Sequence, residues 1–227
     1  MPGQVRSEQN IMSVTFPYNY MCIEGNIGSG KTSFTTKIKE EYNCELILED
    51  FQNNPFLPLF YEDKERYAFS VELFFMTERY KQLQRQLLHK SMFSEFTIAD
   101  YSFVKSLLFA KNNLMEEEYR LFIKLWNVLS ASFPKPDILV YFHRDVATLR
   151  QFINNRGREY EMMIEDAYLQ KIQDTYFEYF RNILTFPVLI IDVNTIDFIG
   201  EPEHYKSIKQ IIASKYNPGV HRVSLLV

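Results

Sequence analysis

An α/β fold with a five-stranded parallel sheet, covered by helices on both faces, is the architecture this sequence predicts. Three observations point to it. Five short and largely apolar runs, at 20–23, 45–48, 96–99, 138–142 and 188–191, alternate with helix-compatible segments. The first run enters Gly25-Asn26-Ile27-Gly28-Ser29-Gly30-Lys31-Thr32, and a helix-compatible run over 31–40 leaves it. Acidic residues close two further runs, at Glu49-Asp50 and at Asp100, and parallel strands would carry them to the same sheet edge as the glycine-rich turn.

That turn satisfies the phosphate-loop pattern and sits in the strand-to-helix context the pattern requires. Gly25, Gly28 and Gly30 are three of only seven glycines in the chain, a concentration that argues against coincidence. Their conformational freedom lets successive N–H groups converge on a phosphate at a positive helix end. Lys31 then reaches the terminal phosphates and the Thr32 hydroxyl is available to Mg²⁺. A nucleoside triphosphate, ATP, is the implied ligand.

After 45–48 comes a turn-rich stretch with Asn53-Asn54-Pro55 and Pro58. Phe69, Leu73, Met76, Tyr80 and Leu83 then recur at spacings of three and four, which predicts one long helix over 63–90 with a pocket-facing side. Helices follow at 102–111 and 116–132, the second opened by Glu116-Glu117-Glu118. Further helices are expected at 146–155, stopped near Gly157, at 165–184, and at 203–214 behind Pro202.

Composition bounds the partners. The 227 residues suit one domain, 46% hydrophobic and 24% charged, with a net charge of −4 and no long basic block, so small molecules are expected rather than nucleic acid. No run of eighteen apolar residues appears, so no membrane span is expected. Cys22 and Cys44 form no disulfide or zinc pattern and suit a reducing, cytoplasmic setting. The histidines show no metal-ligand spacing. The first ten residues are polar without a hydrophobic core, and both chain ends are taken as tails, 1–17 and 216–227.

Three groups carry candidate chemistry. Asp100, closing an apolar strand, is a Mg²⁺ ligand or else a helix-capping acid. Glu49 or Asp50 is a base for an acceptor hydroxyl, and the residues alone leave the two open. Arg150, Arg156 and Arg158 flank a glycine break as a phosphate lid would require, or form a solvated basic turn.

The phosphate loop, Leu48-Glu49-Asp50, Asn54-Pro55-Phe56-Leu57, Phe60-Tyr61-Glu62-Asp63 and Arg156-Gly157-Arg158, in that order, resemble the deoxynucleoside kinases over roughly 18–215. Ile98-Ala99-Asp100-Tyr101 and Phe133-Pro134-Lys135-Pro136-Asp137 resemble the bacterial deoxyguanosine kinase branch. The resemblance implies a P-loop kinase fold with a lid, and ATP-dependent phosphorylation of a deoxynucleoside 5′-hydroxyl with Mg²⁺. It makes Glu49 the base, gives Tyr61 and Glu161 to the sugar 3′-hydroxyl, sets Arg79 near the base and 5′ end, and puts Asp197 and Phe198 against the adenine of ATP. It also implies a homodimer through two helices.

Two departures stand out. Many relatives have Asp/Glu-Arg-Ser where this chain has Asp100-Tyr101-Ser102, and Lys105 one turn later is the substitute for the missing charge. Glu72 stands where relatives often use glutamine. An ionised carboxylate only accepts hydrogen bonds, so Glu72 with Arg79 matches the pairing edge of guanine, two N–H donors beside one carbonyl acceptor, whereas glutamine suits adenine, with one donor and one acceptor there. A plain charge pair is the alternative for Glu72 and Arg79. Other functional classes to weigh are a thymidylate-like nucleoside monophosphate kinase and a non-catalytic subunit of the same fold.

Overall fold

The computed structural model describes residues 14–50, 54–87 and 93–225. The strands are β1 (Tyr20–Gly25), β2 (Glu45–Ile47), β3 (Thr97–Ala99), β4 (Ile138–His143), β5 (Pro187–Asp192) and β6 (Gly219–Ser224). The helices are α1 (Lys31–Glu41), α2 (Leu57–Glu62), α3 (Lys64–Leu87), α4 (Val104–Asn113), α5 (Glu116–Ser130), α6 (Val146–Arg156), α7 (Asp166–Phe180) and α8 (Pro202–Ile212). A 3₁₀ turn over Glu159–Met163 follows α6.

The sheet has six strands in the order β2-β3-β1-β4-β5-β6, and every pairing is parallel. The expected parallel α/β architecture is therefore present, with one correction: there are six strands rather than five. The sixth comes from residues assigned to a C-terminal tail. It hydrogen-bonds only β5, at the sheet edge, and its exposure alternates along its length, so it lacks the continuous apolar run that marks the inner strands.

Alternate residues of the strands feed two cores. Cys22, Leu139, Tyr141 and Val188 face helices α3, α4, α5 and α7, whereas Met21, Ile23, Val140, Phe142 and Ile191 face α1 and α8. Phe16, ahead of β1, also packs into the second core, although it was expected in a loose tail. The earlier part of that tail lies outside the described residues.

Chain order places the site. After β1 the chain crosses past β3 to reach β2, and after β3 it crosses to β4 on the other side of β1. The connections leaving β1 and β3 therefore diverge at the carboxyl ends of the strands, opening a crevice there. α2 occupies part of the segment expected to be turn-rich, while the predicted 63–90 helix starts at Lys64 and is described to Leu87, its last residues lying outside the described range.

Phe34 of α1 is fully buried and makes edge contacts with Phe142, Phe198 and Tyr205. Phe34→Ala is expected to lower stability by about 3–5 kcal/mol through the cavity it leaves, read as a lower urea midpoint with an unchanged slope.

Candidate active site

At the crevice the backbone turns from β1 into α1 through Gly28 (φ 83°) and Gly30 (φ 88°). Both are left-handed conformations that favour glycine, and the spacing is tight as well. A Cβ on Gly30 would come within 2.8 Å of the Phe198 ring, and one on Gly28 within 2.9 Å of the Leu149 carbonyl. Asn26 anchors the loop from behind: its Nδ2 donates to the Leu169 carbonyl at 2.8 Å and its Oδ1 accepts from Ile27 N–H at 2.8 Å. Ser29 is fully buried, and Gly25 and Gly28 are buried beside it.

Lys31 extends over this loop, its Nζ 3.2 Å from the Asn26 carbonyl. Burial and the neighbouring Lys105 pull its ammonium down to about 8. Asp100, at the end of β3 and only 2% exposed, receives the Thr32 hydroxyl at 2.5 Å and the Glu49 N–H at 2.8 Å. Its carboxyl is raised by burial and by Glu49, an effect that Thr32 and Lys31 oppose.

Glu49 is gripped by two cations. Arg79 donates to its Oε1 through Nε at 2.8 Å and Nη2 at 2.5 Å, and Lys105 reaches its Oε2 at 2.5 Å. Burial works to raise this carboxyl, but Lys105, Arg79 and Lys31 together outweigh it and hold Glu49 well below the usual carboxylate range. Tyr101 is buried and donates to Gln82. Lys105, expected as a substitute charge near the transferred phosphate, lies against Glu49.

One cleft joins these groups. Ile27, Lys31, Thr32, Asp100 and Glu49 line one end of it, with Arg79 and Lys105 beside them. Arg156, Arg158, Glu161 and Tyr61 close one side, and Glu72 lines it together with Val71, Phe75, Phe109 and Asn113. Gly157 (φ 69°) ends α6 in a left-handed cap, which turns Arg158 off the helix so that both arginines meet Glu161. Arg158 reaches Glu161 Oε1 at 3.1 Å, and Arg156 bonds Oε2.

Among the expected site residues, Arg150, Asp197 and Phe198 lie outside both this cleft and the phosphate loop. Arg150 instead ties Asp166, at 2.8 Å, and the Ile164 carbonyl, bracing the start of α7. Phe198 lies in the core beneath Gly30, tilted against Phe142 at 5.5 Å, so its ring supports the loop from below. Asp197 is exposed and its Oδ1 accepts from the N–H groups of Ile199 and Gly200 at 3.0 and 2.8 Å, a turn-capping arrangement. The expected Glu72–Arg79 partnership also differs: Arg79 spends its donors on Glu49 and Ser106, and the group bonded to Glu72 is Asn113, at 2.6 Å. Both Glu72 and Arg79 are buried, which removes the surface charge-pair alternative.

Sequence reasoning missed Asn113, Arg144 and Glu24. Arg144 directly follows β4 and donates to the carbonyls of Ser29, Asn194 and Ile196, at 3.4, 3.1 and 3.0 Å, lashing the phosphate loop to the segment after β5. Burial pulls its guanidinium down to about 10. A charge immediately after an apolar strand was the available signal. Glu24 is fully buried and accepts from Ser102 N–H (2.7 Å), Ser102 Oγ (2.8 Å) and Tyr176 OH (2.9 Å), fixing the β3–α4 turn between Asp100 and the helix that carries Lys105.

A phosphate loop and a buried carboxylate facing each other across one cleft define a nucleotide-dependent phosphotransferase of the doubly wound class. A sequence model of the deoxynucleoside kinase family matches residues 21–216, and the chain belongs to that family. It is accordingly a transferase that phosphorylates nucleosides.

Among curated proteins, the chain is 30% identical over 193 residues to the deoxyguanosine kinase of Bacillus subtilis (strain 168), spanning 83% of this chain and 93% of that protein. It is 25% identical over 197 residues to the deoxyadenosine/deoxycytidine kinase of the same organism, spanning 85% and 90%. Among solved structures, the deoxyadenosine kinase from M. mycoides with bound dATP has the same fold, with a TM-score of 0.73 at 24% identity over 86% of this chain and all of that one, 100%. Family membership thus bears out the resemblance carried by the motifs. Among the described residues no helix is long and apolar enough to cross a membrane.

Gly30→Ala is expected to keep the fold and to weaken nucleotide binding about tenfold or more, because the loop must shift to relieve the strained φ and the contact with Phe198. Calorimetric titration checks it.

Proposed function

We propose that this kinase transfers the γ-phosphoryl group of ATP to the 5′-hydroxyl of a purine deoxynucleoside, deoxyguanosine first, giving the 5′-monophosphate for nucleotide salvage. The observation that carries this reading is the shared cleft, lined by Ile27, Lys31 and Thr32 of the phosphate loop, by Glu49 and by the buried Glu72. Similarity to the Bacillus subtilis deoxyguanosine kinase supports the choice of base.

The residues suit a bound Mg²⁺. Thr32 Oγ1 and Asp100 Oδ2 are hard oxygen donors 2.5 Å apart beside the loop, and such an ion needs few protein ligands when phosphate oxygens and water complete its shell. When bound, Mg²⁺ neutralises charge on the phosphates. The loop amides and Lys31 hold the β- and γ-phosphates. Tyr61 and Glu161 hold the sugar, and Glu49 takes the 5′-hydroxyl in line with the γ-phosphorus. The bond from O5′ to phosphorus forms as the β,γ-bridge breaks, the hydroxyl proton passes to Glu49, and ADP leaves. Held as a strong anion by Arg79 and Lys105, Glu49 orients the hydroxyl more than it extracts the proton, which suits a loose transfer in which the proton departs late. Arg156 and Arg158 supply positive charge to the group in flight.

The same reading includes a homodimer. Leu121, Leu125 and Val128 lie exposed along one face of α5, while Phe122 on its other side is buried, so a second copy related by twofold symmetry would cover the outer stripe.

Glu49→Gln is expected to keep ATP affinity and to lower kcat by about 10² or more. A coupled ADP-release assay across deoxynucleosides and their monophosphates checks the substrate class, and turnover confined to monophosphates would overturn it. Light scattering should give twice the chain mass of 27.1 kDa, and Val128→Glu should halve it.

A further inference from the structure

Glu72 is one of few described side chains that are both buried and incompletely bonded, and it lines the cleft. Its residual exposure is 2%. Asn113 Nδ2 donates to Oε1 at 2.6 Å, whereas Oε2 has no partner. The two oxygens are therefore unequal. Oε1 stays an acceptor, because it already accepts a hydrogen bond from the amide. Any proton that Glu72 takes up belongs on Oε2, the free oxygen, and converts that atom from an acceptor into a donor.

We propose that the proton on Glu72 Oε2 decides which purine this cleft accepts: the ionised carboxylate takes guanine and the neutral acid takes adenine. This deepens the substrate reading above and rests on it. Guanine presents N1–H and N2–H donors, which need acceptors. Adenine presents an N1 acceptor beside an N6–H donor, which the acid meets with Oε2–H and an oxygen lone pair.

The surroundings place this choice near neutrality. Burial raises the Glu72 carboxyl to about 7, against the opposing pull of Arg79 on its own helix and of the Asn113 amide. From the end of β2, Glu49 adds to the rise, and from α4 Lys105 opposes it. Tyr61 of α2 and Tyr168 of α7 face it as neutral phenols, both pushed up by burial. Across the cleft, Glu161 is matched by Arg156 and Arg158. Below about pH 7 the acid form dominates and adenine is favoured; above it the anion dominates and guanine is favoured. Each base also reinforces the form it prefers, since the binding of either one shifts the proton equilibrium toward its own partner.

The test is the ratio of kcat/KM for deoxyguanosine to that for deoxyadenosine, measured at saturating ATP. The ratio cancels titration of Lys31, which serves the phosphate end common to both reactions. It is expected to rise about 100-fold between about pH 6 and pH 8, roughly tenfold from each substrate, as a single proton leaves. Glu72→Gln, which carries a fixed donor and a fixed acceptor, should flatten the profile. Deoxyinosine, with an N1–H donor and no 2-amino group, should follow the deoxyguanosine profile in the unmodified enzyme and needs no variant. A flat ratio while both purines are phosphorylated, a slope that survives in Glu72→Gln, or deoxyinosine following deoxyadenosine would each overturn the inference and leave the kinase reading standing. Failure to phosphorylate any deoxynucleoside at any pH would remove that reading and the inference with it.

Discussion

A single buried carboxylate holds the two halves of the chemistry together. Asp100 receives the hydroxyl of Thr32 from the helix that follows the phosphate loop and the N–H of Glu49 from the strand beyond it. Only a parallel sheet brings three strand ends to one edge in this way, and only the crossover past β3 leaves room between them. The loop, the Thr32 hydroxyl and Glu49 are thereby held in one frame. Glu24 and Arg144 stiffen that frame from behind, the first beneath Asp100 and the second beneath Ser29.

Two of the carboxylates in the cleft each meet two cations. Glu49 is held by the buried Arg79 and Lys105, and the buried Glu161 by the more exposed Arg156 and Arg158, so neither carboxylate is left uncompensated. Glu72 departs from this arrangement. Its nearest hydrogen-bond partner is a neutral amide, and Arg79 is turned to Glu49 instead. An anion there is poorly supported, which is why burial rather than pairing sets its behaviour.

Much of this was legible in the sequence because it depends on local pattern. The phosphate loop announced itself by glycine spacing, and five strands by continuous apolar runs. Acids after strands marked Glu49 and Asp100. What stayed hidden depends on partners distant in the chain. β6 is an edge strand with a mixed face, so it carries no apolar run. Asn113 lies 41 positions from Glu72, and nothing in the spacing of the two predicts that they meet. Phe198 follows a strand in the expected place, but the direction of its ring was decided by the aromatic packing of Phe34 and Phe142. Arg150 has the right charge near the right glycine, yet Asp166 lies closer at hand.

Glu161 is a single carboxylate shared between two guanidiniums, those of Arg156 and Arg158. One negative charge cannot cancel two positive ones, so the trio leaves a surplus positive charge beside the cleft. Arg156 and Arg158 are partly exposed while Glu161 is buried, so that surplus faces solvent rather than the core. An anion approaching this rim is drawn in rather than repelled.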